Sequence, residues 1–145
     1  ASLERAGVGA AHVTFVEVDF NRDDLFEKLQ ARGYDTTKRT LFLWEGVTLY
    51  LSEETVRKTL RDVRACSSTG SVVLADIYAG RMINSMKAAA KYIGEPVDFS
   101  LPFATDCDGD LSSFLGSEGL AIRETYFLGK THDKGPYGVV VEMRT

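Results

Sequence analysis

The stretch TLFLWEGVTLYLSEETV, residues 40–56, decides the fold. Thr40 to Trp44 is a strand-forming apolar run that stops at Glu45 and Gly46. A short turn carrying Tyr50 follows. Ser52 then caps a helix that continues to about Ala65, with Glu53 and Glu54 suited to its positive end. Arg57, Lys58, Arg61 and Arg64 lie further along, and Val56, Leu60 and Val63 form its apolar stripe. Strand, turn and capped helix make the repeating unit of an α/β sheet, whose ligands sit at the carboxyl ends of the strands. Glu45 falls at such an end. Its carboxylate can accept hydrogen bonds from an amino or hydroxyl group, and Gly46 lets a ligand approach the backbone.

Downstream, Gly70 ends the helical region and Ser71–Ile77 reads as the next strand. The near-continuous apolar character of both strands predicts burial on both faces, as in a parallel sheet. Ala121–Leu128 and Tyr137–Met143 read as two further strands joined by the polar loop GKTHDKGP, which gives the sheet an antiparallel end. Residues 79–120 interrupt the alternation: a helix near 81–93, then Pro96 and Pro102, then a short helix near 110–118. This insertion is long enough to form a lid or a wall of a substrate pocket.

Upstream, residues 1–6 read as a helix tail closed by Gly7 or Gly9. His12 to Val18 alternates as a strand ending at Asp19. Asn21 is placed to cap a helix over 22–32, closed by Gly33.

A chain of 145 residues fits one domain with its own core. The net charge of −4 and the lack of a basic block argue against a nucleic-acid partner. No apolar run approaches the roughly 20 residues that cross a bilayer, which gives no reason to expect a membrane partner. Cys66 and Cys107 form neither a disulfide framework nor a C-x-x-C pair, so reduced thiols and a cytoplasmic setting are expected. Cys66 reads as a buried, inert side chain.

Several motifs fail on their context. GVGAAH (7–12) is no dinucleotide loop, since it follows a helix-like segment and precedes a strand. DCDGD (106–110) begins like a calcium loop, but its sixth position is Leu111 and its twelfth Ser117. Asp108 or Asp110 is expected to cap the following helix instead. His12 and His132 have no partner that suggests a metal or a nucleophile relay, so no metal is expected.

The segments HVTFVEVDFNRDDLFEKLQARGYD (12–35), TLFLWEGVTLYLSEETV (40–56), SVVLADIY (71–78) and GEPVDF (94–99) occur in the order of landmarks in a known family. Together they resemble the leucine carboxyl methyltransferase-like family of S-adenosylmethionine-dependent methyltransferases. The resemblance implies a Rossmann-like class I methyltransferase sheet, parallel with an antiparallel terminal strand, and S-adenosyl-L-methionine as cofactor. It also implies O-methyl transfer to a carboxylate or hydroxyl, the acceptor being a protein C-terminal carboxylate or a small molecule. By the same resemblance, Asp19 and Phe20 contact the adenine part of the cofactor, Glu45 and Gly46 also face it, and Tyr50 lines the acceptor pocket. No catalytic group is implied.

Relatives of this kind also carry an earlier strand with a glycine-rich loop and a second strand ending in a ribose-binding acid. Neither stands in this sequence, so it reads as the C-terminal portion of the domain, inactive alone. In the usual strand order both would lie between 12–18 and 40–44. Their absence would expose strand edges that invite pairing with a second copy, a homo-oligomer. The competing readings are a non-catalytic interaction domain on the same scaffold, and half of a nicotinamide dehydrogenase. The latter lacks any strand–GxGxxG–helix.

Overall fold

A computed structural model describes residues 7, 9, 11–94, 96–103, 106–129 and 135–145. The helix tail expected at 1–6, and His132 with Asp133, lie outside the described residues. The chain divides into two compact units, Ala1–Asp35 and Thr36–Thr145.

In the first unit, residues 12–18 keep the alternation of a strand but enter no ladder among the described residues, contrary to expectation. A strand exists only where a neighbour takes up its backbone groups. Without one, Val13 and Phe15 stay exposed. The helix α1 is Leu25–Gln30, shorter than expected, and its cap is Asp24 in place of Asn21. Asp19 accounts for the difference. Its Oδ1 accepts the Asn21 N–H, and its carbonyl accepts those of Arg22 and Asp23, so 19–23 is spent on a turn. Asp24 then accepts the Glu27 N–H and opens the helix. Phe26, buried, meets Tyr34 edge-on at 5.5 Å within the same unit.

The second unit holds a four-stranded sheet of β1 (Leu41–Trp44), β2 (Val72–Tyr78), β3 (Ala121–Leu128) and β4 (Gly138–Arg144), in the order β1-β2-β4-β3. β1 and β2 are parallel; the terminal strand β4 runs antiparallel to both β2 and β3. The expected parallel arrangement with an antiparallel last strand is thus observed. Gly138, opening β4, permits its approach to β2: a Cβ there would lie 2.7 Å from the Ile77 carbonyl oxygen.

Burial on both faces is not observed. One face, with Val73, Ala75, Ile77, Phe127, Val139, Val141 and Met143, is buried. The other carries Leu41 at 64% and Leu43 at 68% exposure, with Tyr126 and Val140 also exposed. Apolar composition reports what a strand can bury, while the covering elements decide what it does bury.

The helix α2 (Glu53–Ala65) begins where expected, the Ser52 Oγ accepting the Thr55 N–H, and buries Val56, Thr59, Leu60 and Val63. After β2, α3 spans Gly80–Ile93. The chain then returns beside the strand ends: the Asp98 N–H donates to the Leu49 carbonyl, and Leu101 bridges Ala79. Val97, Phe99, Leu101 and Phe103 are buried along this return. The helix α4 (Cys107–Ser117) starts earlier than expected, because Asp106, and neither Asp108 nor Asp110, accepts the Gly109 N–H as cap.

Candidate functional site

The corner between β1 and α2 is built by two opposed requirements. β1 must end, and the chain must turn across the top of β2. Gly46 meets the second with φ of 69°, in the left-handed region, and a Cβ there would meet nothing within 4 Å. A single 3₁₀ turn, Thr48–Tyr50, follows and buries Thr48 and Leu49.

Strand β2 holds this corner. The Gly46 N–H donates to Asp76 Oδ2 at 2.8 Å, and the Thr48 hydroxyl donates to the Asp76 carbonyl at 2.7 Å. The Tyr78 hydroxyl donates to the same Oδ2 at 2.9 Å. Among the described residues no donor reaches Asp76 Oδ1, which is buried. Burial, reinforced by the hydrogen bond to Asp76 and the charges of Asp76 and Glu45, pushes the Tyr78 hydroxyl up to about 12. It therefore remains a donor throughout the neutral range.

A cavity of about 400 Å³ opens beside these groups, lined by Glu45, Asp76, Tyr78, Trp44, Leu128 and Val140, with Leu43, Leu74 and Ala75 completing the wall. It sits at the carboxyl ends of the two parallel strands, where sheets of this class bind ligands. An apolar wall with two carboxylates and one hydroxyl suits a partly apolar ligand that offers hydrogen-bond donors or a positive centre.

Of the residues singled out from the sequence, Glu45 lies on the cavity wall, with Gly46 directly behind it. Tyr50 stands in the next turn, 44% exposed, and is not among the lining residues. Asp19 and Phe20 belong to the first unit, where Asp19 is the turn acceptor described above and Phe20 is half-buried. Sequence reasoning missed Asp76 and Tyr78. The signal was present: an acidic residue interrupts the otherwise apolar strand VVLADIY, where a carboxylate needs a partner. No group of His, Cys, Asp and Glu able to hold a metal occurs among the described residues. No helix among them is long and apolar enough to cross a membrane.

Comparison with solved structures gives the fold. An S-adenosylmethionine-dependent methyltransferase from Mesorhizobium loti superposes with a TM-score of 0.66 at 13% identity, over 99% of this chain and 74% of that one. A DUF574 family protein from Streptomyces avermitilis gives 0.57 at 13% identity, over 90% and 54%. The mitomycin 7-O-methyltransferase MmcR gives 0.58 at 16% identity, over 99% and 37%. The chain thus spans little more than half of the second of these proteins and about a third of the last. No curated protein matches it. The family model for leucine carboxyl methyltransferase matches residues 1–64, a stretch that includes both Asp19 and the Glu45 corner. That match makes residues 1–64 similar to the leucine carboxyl methyltransferase family, and the chain shares its fold with the solved Mesorhizobium loti methyltransferase.

Proposed function

We propose that the chain contributes the Glu45 side of a cofactor site to an S-adenosyl-L-methionine-dependent methyltransferase that modifies an oxygen. The observation that carries this reading is the Glu45–Gly46 corner beside a cavity at the ends of two parallel strands. The cavity volume lies within the roughly 300–1,000 Å³ of small-molecule sites, and its two carboxylates complement a cationic ligand. When bound, the cofactor supplies a methyl group on a positively charged sulfur.

Glu45 accepts hydrogen bonds from the cofactor's amino or hydroxyl groups, and Gly46 leaves the approach to the backbone open. Tyr50 lines the acceptor pocket, and residues 79–120 cover it. The acceptor is a small molecule bearing a carboxylate or a hydroxyl. A carboxylate is already ionised at neutral pH, so alignment and exclusion of water supply the rate and no base is assigned.

The test is methyl transfer from radiolabelled cofactor to carboxylic and phenolic acceptors. It compares the 145-residue chain with the longest reading frame containing it. Transfer by the longest reading frame is expected, and base-labile label would identify an ester. Absence of both transfer and S-adenosylhomocysteine binding in the longer chain would overturn the reading. That result would favour an interaction domain, for which the exposed Leu41, Leu43 and Tyr126 on one sheet face are the supporting observation.

A further inference from the structure

Asp76 is an acid in an apolar strand, and its bonds are unevenly distributed. One carboxylate oxygen takes both the Gly46 N–H and the Tyr78 O–H; the other, buried, takes none among the described residues. A residue needed only to end a strand has no use for this arrangement, because a bare buried acceptor costs stability. The arrangement does fix one thing. Trp44 is held in the ladder opposite Ala75, and Gly46 is held by Asp76. Glu45 is bracketed between these two points. A third tie, from the Thr48 hydroxyl to the Asp76 carbonyl, secures the turn that follows. Gly46 itself is exposed and its backbone conformationally free, so nothing in its own side chain would hold the corner.

We propose that Asp76 is a positioning residue that fixes the Glu45–Gly46 corner and so aims the Glu45 carboxylate along the cavity wall. The value of that aim rests on the cofactor reading of Glu45; the tether does not.

The test measures amide hydrogen exchange at Gly46, with Val73 and Val141 as reporters of the sheet, in the wild type, Asp76→Ala and Asp76→Asn. Exchange at Gly46 should rise about tenfold in Asp76→Ala while the reporters hold, matching the loss of one charge-assisted bond. Asp76→Asn keeps an acceptor oxygen and should restore most of the protection. It should also move the Gly46 amide proton resonance upfield, a readout available even if the alanine variant does not fold. Affinity for S-adenosylhomocysteine should fall about tenfold in Asp76→Ala, following the exchange rate. Unchanged exchange and an unchanged Gly46 resonance would overturn the positioning role whatever the protein binds. A tether dependent on Asp76 in a protein that binds no S-adenosylhomocysteine would support the role while removing the cofactor reading.

Discussion

Glu118, buried at the end of α4, is gripped by two arginines of α2: Oε1 accepts from Arg57 Nη1 at 2.6 Å and Oε2 from Arg61 Nη1 at 2.8 Å. Burial alone would raise its carboxyl. The hydrogen bonds from Arg57, Ser117 and Arg61 together outweigh burial and hold it below the ordinary carboxylate range. Arg57 also lies over the Phe114 ring at 4.2 Å, so the pair closes one end of the core.

Glu118→Ala should therefore destabilise the protein by about 2 kcal/mol, because it removes charge-assisted bonds at a buried carboxylate while Arg57 keeps Glu53 and Ser117 as partners. Arg57→Ala should cost more than Arg61→Ala, whose side chain is 54% exposed and screened by water. The lowered carboxyl fixes the sign with pH. Its contribution is complete above the unfolded value and is lost as pH falls through the folded one. Chemical denaturation from neutral pH to about pH 3 should show wild type losing stability faster than Glu118→Gln. Parallel curves would refute the assignment.

Tyr78 offers an independent check at alkaline pH. Its folded value of about 12 exceeds the ordinary 10.0, so its contribution is full below 10.0 and disappears as pH rises through about 12. Ultraviolet titration should show one late-ionising tyrosine that is missing in Tyr78→Phe. The substitution should also cost about 1 kcal/mol near neutrality, one hydrogen bond's worth. A late transition that persists in Tyr78→Phe would contradict the assignment to Tyr78.

Two glycines should respond differently to alanine. At Gly46 the left-handed backbone is the only obstacle, with open space around the added carbon, so the cost is about 1–2 kcal/mol. At Gly138 the carbon would press on the Ile77 carbonyl, and β4 must separate from β2. Gly138→Ala should thus melt well below Gly46→Ala. Equal melting temperatures would contradict the strand register.

Much of this architecture is legible in the sequence because local signals and packing agree. Ser52 ahead of Glu53 and Glu54 marks the start of α2 correctly, and VVLADIY marks β2. Legibility fails where the deciding partner is distant. Residues 12–18 have a strand's pattern but no ladder among the described residues, and Leu41 and Leu43 are apolar but exposed. It fails again where several nearby Asp and Asn side chains could each cap a helix: Asp24 and not Asn21 caps α1, and Asp106 and not Asp108 or Asp110 caps α4. The corner at Glu45 could be read from its strand end. Its dependence on Asp76, thirty residues from Gly46, could not.

The most direct test of the cofactor reading is a calorimetric titration of S-adenosylhomocysteine into the longest reading frame containing the chain, with and without Glu45→Ala. One saturable site is expected, weakened about tenfold or more by the substitution, as for loss of a charged hydrogen bond. Binding indifferent to Glu45, or no binding at all, would contradict it.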